Sequence, residues 1–160
     1  VSIGVARVLC AHGADVNVAT KETRTTALMD AANLGLVESV RFLCEEYAEE
    51  IPLAVNATNV FGQTALLLAA GKGHVAIVQM LLNKGADVHC VDTALGRNAL
   101  MVAAYAGRRA VVHALLPYYE DADLALTDKS GRTAQALARA RQHRVVEDDL
   151  SWAASSCVIS

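Results

Sequence analysis

Thr64-Ala65-Leu66-Leu67-Leu68-Ala69-Ala70-Gly71-Lys72-Gly73-His74-Val75-Ala76-Ile77-Val78-Gln79-Met80-Leu81-Leu82 is the stretch on which the fold turns. A threonine opens it, a run of alanine and leucine follows, glycine interrupts the run, and apolar residues then resume at helical spacing. The Thr64 hydroxyl can accept from a backbone N–H that a first helical turn leaves orphaned, and alanine and leucine favour the helix that follows. Gly73 suits the left-handed conformation in which such a helix ends. Val75, Ile77, Val78, Met80, Leu81 and Leu82 predict a second, antiparallel helix that stops before Gly85.

The same pattern recurs. Thr26-Ala27-Leu28-Met29, Thr64-Ala65-Leu66-Leu67, Asn98-Ala99-Leu100-Met101 and, more weakly, Thr133-Ala134-Gln135-Ala136 stand 38, 34 and 35 residues apart. The first three are followed at one offset by an alanine pair and a glycine: Ala31, Ala32 and Gly35; Ala69, Ala70 and Gly73; Ala103, Ala104 and Gly107. Gly13-Ala14-Asp15-Val16-Asn17 returns as Gly85-Ala86-Asp87-Val88-His89, and each copy precedes its next helix start by 13 residues. Between Gly85 and Asn98 lies a polar connection too short for a helix, which is expected to project as a hairpin-like finger.

Composition agrees with a stack of thin layers. Of the 160 residues, 54% are hydrophobic but only 4% aromatic, so alanine, leucine and valine must fill the interior. The net charge is −3, which argues against nucleic acid. No apolar run reaches the ~20 residues of a membrane span, and Val1-Ser2-Ile3-Gly4 lacks the features of a signal peptide, so a cytoplasmic chain is expected. Cys10, Cys44, Cys90 and Cys157 form no C-x-x-C pair and three of them sit in apolar periodic segments, so buried reduced thiols are expected in place of disulfides or zinc ligands, with no metal site and no cofactor. The five histidines form no H-E-x-x-H motif or Cys/His cluster, no serine sits in a G-x-S-x-G elbow, and the eight-residue phosphate loop is missing around Gly71-Lys72-Gly73, so no enzyme is expected.

The strings resemble the ankyrin repeat, a unit of about 33 residues carrying T-P-L-H-x-A and built as a turn plus two helices. The resemblance implies an all-α solenoid. A partial unit would fill residues 1–20, full units 21–58, 59–91 and 92–127, and a degenerate capping unit 128–150, with a tail at 151–160. The chain opens inside a unit, which implies further sequence upstream. In the last unit Arg139, Arg141 and Arg144 interrupt the apolar pattern, as a terminal repeat requires, and Gln142 stands where glycine is expected. The family's proline is alanine in all four strings, and its histidine is Met29, Leu67, Met101 or Ala136, so apolar packing must supply more of the coupling between neighbours. Two insertions, around Tyr47 to Leu53 and Tyr118 to Asp123, read as loops that are either functional or idle length.

Within such an array the resemblance implies that another protein binds on the finger tips and first helices, which line the concave side. Mapped onto this chain, that face comprises Glu22, Thr23, Asn33, Phe61, Gln63, Lys72, Leu95, Arg97, Tyr105, Lys129 and Arg132. Phe61, Tyr105 and Arg97 are of the types that anchor interfaces, the alternative being that Phe61 or Leu95 folds down against the next finger. Residues 1–57 hold 4 basic and 8 acidic side chains, 58–116 hold 5 and 2, and 128–144 hold 5 and 1, so an acidic partner segment is expected over Lys72, Arg97, Lys129 and Arg132. Similarity to kinase-inhibitory ankyrin proteins offers a sharper function, inhibition by docking beside a catalytic cleft. Cys157-Val158-Ile159-Ser160 fits the C-a-a-X prenylation pattern, which would make the chain a membrane-anchored adaptor; the alternative is an apolar last turn. Asn17 resembles ankyrin asparagines that an oxygen-dependent hydroxylase modifies, a substrate role.

Overall fold

The computed structural model describes residues 3–46 and 52–156. The helices are α1 (Ile3–Ala11), α2 (Ala27–Leu34), α3 (Val37–Arg41, continued by a π turn at Phe42–Glu46), α4 (Ala65–Lys72), α5 (Val75–Asn83), α6 (Ala99–Tyr105), α7 (Arg109–Leu115), α8 (Asp121–Leu124), α9 (Ala134–Ala140) and α10 (Arg144–Ser156). Among the described residues there is no strand, only an isolated antiparallel bridge between Ala19 and Thr26 where the first finger closes. α2/α3, α4/α5, α6/α7 and α9/α10 are four helix pairs stacked side by side, with α1 preceding them.

Each pair starts as its residues require. Thr26, Thr64, Asn98 and Thr133 have extended backbones, and their side-chain oxygens accept from Met29, Leu67, Met101 and Ala136 N–H. At the far end of α4, Gly73 adopts φ 88°; a Cβ there would lie 2.9 Å from the Arg108 side chain of the next pair. Gln142 holds the corresponding turn after α9 at φ 60° with no glycine. Arg24, at φ 55°, does the same in the first finger, in register with Gly62, Gly96 and Gly131 of the other three.

The core is a row of small contacts. Ala32, Ala69, Ala70, Ala103, Ala104 and Ala138 are fully buried between first helices, while Val40, Ile77, Val78, Leu81, Val112 and Leu115 fill the space beneath the second helices. Met29 and Met101 are buried where the family has histidine, so apolar packing occupies that position. Alanine lets α2, α4, α6 and α9 approach more closely than α3, α5, α7 and α10 do, which curves the stack with the first helices on the inside.

The structure departs from the sequence expectation at three places away from the inner face. The Tyr118 to Asp123 insertion is no plain loop. It folds as a 3-10 turn (Leu116–Tyr118) followed by α8, because Asp123 accepts from the Glu120 N–H at 2.9 Å and Tyr119 turns inward, donating its hydroxyl to the Val88 carbonyl at 2.5 Å. The tail placed at 151–160 starts as helix: α10 runs through Ser156, held by Val146 and Leu150 in the core and by the Ser155 hydroxyl on the Ser151 carbonyl at 2.8 Å. Cys44 is buried, but Cys10 and Cys90 are only half-buried. Residues 47–51 of the first insertion and Cys157 lie outside the described residues.

Candidate partner-binding face

The fingers are joined edge to edge. Val60 N–H donates to the Thr23 carbonyl at 3.0 Å, Thr93 N–H to the Phe61 carbonyl at 2.9 Å and Lys129 N–H to the Leu95 carbonyl at 2.9 Å, so four consecutive tips form one hydrogen-bonded row. Inside each finger the first side chain braces the loop. Thr20 Oγ1 accepts from Thr25 N–H, Asn59 Oδ1 from Phe61 and Gln63 N–H, Asp92 Oδ1 from Leu95 N–H, and Asp128 Oδ1 from Ser130 and Arg132 N–H. These bonds satisfy backbone groups that a tight loop would otherwise leave open. The tips are therefore presented on a rigid base.

Phe61 stands 55% exposed, with Val60 beside it, and Leu95 is exposed on the next finger, so neither side chain folds down against its neighbour. Glu22, Thr23, Lys72 and Lys129 are exposed, and Asn33 and Gln63 are half-buried. Thr23 spends its hydroxyl on Thr20 and Thr25, and Gln63 accepts from the Asn59 amide at 3.1 Å. The Lys129 ammonium donates to the Thr93 carbonyl.

Arg97 is not a surface anchor. Its side chain is 7% exposed and pairs with Asp128, Nε to Oδ2 at 3.1 Å, because the base of the next finger puts a carboxylate directly behind it. Arg132 Nη2 reaches the same oxygen at 3.2 Å. Burial pushes the Asp128 carboxyl up, but the backbone N–H groups of Arg132 and Ser130 and the guanidinium groups of Arg97 and Arg132 outweigh it and hold the pKa at about 2. The Arg97 guanidinium also lies 4.3 Å from the centre of the Tyr105 ring, and Arg141 lies 4.8 Å from it. Tyr105 is thus half-buried against two cations.

Sequence reasoning missed Asp128 and Arg141. The sequence shows Asp128 as a finger-opening residue in register with Asn59, and Arg141 only as part of a polar cap. Asn17 is a structural bridge: its amide donates to the Pro52 carbonyl at 3.0 Å and accepts from Ala54 N–H at 2.8 Å. Asn56 repeats this on Gly85 and Asp87. Among the described residues, no group of three His, Cys, Asp or Glu side chains is placed to hold a metal ion, and no helix is long and apolar enough to cross a membrane.

Residues 51–128 match the family model for ankyrin repeats (3 copies). The chain is an ankyrin-repeat protein. It is 45% identical over 92 residues to the mouse (Mus musculus) Ankyrin repeat and SAM domain-containing protein 6, an alignment covering 58% of this chain and 10% of that protein. The rat (Rattus norvegicus) protein of that name is 38% identical over 114 residues, covering 71% of this chain and 12% of the relative. Ankyrin repeat and KH domain-containing protein mask-1 of Caenorhabditis elegans is 38% identical over 91 residues, 56% of this chain and 3% of the relative. The chain thus spans about a tenth or less of the length of the curated relatives it matches. Ankyrin repeats are a non-catalytic protein-interaction fold, and this ankyrin array is a protein–protein interaction module.

Proposed function

We propose that this ankyrin array binds its partner across the finger row and the inner helices, acting by recognition and not by catalysis. The observation that carries the reading is the exposure of Val60, Phe61 and Leu95 on two adjacent fingers whose backbones are hydrogen-bonded together. Apolar side chains held out on a braced backbone cost little ordering entropy when a partner covers them. An aromatic ring among them fits the pattern of interface anchors. Lys129 on the fourth finger and Lys72 at the C-terminal end of α4 are both exposed and favour an acidic stretch in the partner, through steering and specificity more than through raw affinity.

Phe61→Ala and Leu95→Ala are each expected to weaken capture of native partners from cell extract by about tenfold, with the melting temperature nearly unchanged because both side chains are exposed. A large fall in melting temperature would mean that these side chains pack within the array; unchanged capture with unchanged stability would move the contact to another face.

A further inference from the structure

The inner surface between the third and fourth fingers holds more positive charge than the fold consumes. Arg97, Arg132 and Arg141 converge around one carboxylate, Asp128, and one ring, Tyr105. Asp128 is fully occupied: one oxygen takes the Ser130 and Arg132 N–H groups and the other takes both guanidinium groups. Asp92, at the base of the third finger, is likewise spent on Leu95 and Arg97 N–H. Arg132 Nε is buried and, among the described residues, meets no acceptor. Arg141 is exposed, and its charge rests against Tyr105, which gives it a fixed direction without neutralising it. Two guanidinium groups share one saturated carboxylate, and a third stands over the adjoining ring.

We infer that this cluster is the acidic-side-chain subsite of the partner-binding face, and that the bound segment runs with its apolar residues over Phe61 and Leu95 and its Asp or Glu residues over Arg132 and Arg141. The inference rests on the proposal that partners bind this face. Its polarity follows from charge: at the opposite end the first finger and α2, residues 20–34, balance Lys21 and Arg24 against Glu22 and Asp30 and offer an acidic segment no net attraction, whereas this cluster does. Arginine suits the subsite because its planar fork matches a carboxylate, and because a guanidinium already stacked on an aromatic ring loses little freedom on binding.

The test is a selection of random 16-residue peptides displayed on phage against the folded chain, followed by fluorescence anisotropy of the selected peptides with wild type, Arg141→Gln and Phe61→Ala. Circular dichroism melts confirm that both variants are folded. The expected peptides carry an aromatic or aliphatic block followed or preceded by Asp and Glu; Arg141→Gln weakens them about tenfold. Glu→Gln versions of the peptides lose the same factor, and the loss shrinks as salt is raised. Selected peptides that depend on Phe61 but carry no acidic block, or bind Arg141→Gln as tightly as wild type, overturn the subsite while leaving the binding face standing. Peptides insensitive to both variants overturn the face itself. Binding that appears only when a serine in the peptide is phosphorylated overturns the carboxylate assignment in favour of phosphate.

Discussion

The Arg97–Asp128 pair is where single residues matter most to this protein. Both side chains are almost wholly removed from water, so removing one strands the other, and Asp128→Ala is expected to cost about 3–5 kcal/mol in a urea titration. The carboxyl is held at about 2 in the folded chain, below its ordinary value near 3.9. A depressed folded-state pKa means that the unfolded chain binds the proton first. The stability this group contributes is therefore complete above about pH 4 and drains away as pH falls toward about 2. Asp149, bridged by Arg109 at 2.7 Å and His113 at 2.7 Å, is also held at about 2 and titrates in the same window. The Asp128 part is consequently read as the difference between wild-type and variant acid-unfolding curves. If the two curves are parallel down to pH 2, the Asp128 carboxyl is not held below its ordinary value in the folded chain.

At the scale of elements, the helices were legible because their signals are local. A cap side chain, two turns of alanine and leucine, and a left-handed stop can all be read without knowing what packs against them. Where the local signal lapses, the neighbouring repeats still enforce the geometry: Arg24 and Gln142 take positive φ in places where three other fingers or turns use glycine. What could not be read was long-range. Arg97 looks like a surface cation until Asp128, 31 residues later, draws it inward, and the 118–123 insertion looks like spare loop until Tyr119 finds Val88. That tyrosine is a testable anchor. Burial raises its pKa, so the hydroxyl stays a donor at neutral pH. Tyr119→Phe keeps the ring in the core and removes the hydroxyl with its bond to the Val88 carbonyl and its contact with the Leu100 backbone, which is expected to cost about 1–2 kcal/mol. Tyr118→Phe, on an exposed ring one residue away, is the control and should leave the urea midpoint unchanged.

For the whole molecule, the question is how a stack of apolar layers presents a soluble end. Ala32, Ala70 and Ala104 occupy one register of the first helices, and Val40, Val78 and Val112 one register of the second; all six are fully buried by neighbouring layers. In the last pair the same two registers hold Arg139 and Glu147, which face each other at 2.6 Å. An ion pair thus replaces alanine and valine on the face that an additional layer would cover. Its net energy on an exposed surface is small, so its effect lies in keeping that face hydrated: covering it would strip water from two charges. The double variant Arg139→Ala, Glu147→Val restores the interior pattern and is expected to leave the melting temperature within a few degrees while creating a sticky end. Sedimentation velocity over rising concentration should then reveal dimers that the parent chain does not form under the same conditions. Identical sedimentation of the two proteins would mean that the shape of α10, with Trp152 and Val145 on its exposed side, blocks stacking regardless of charge.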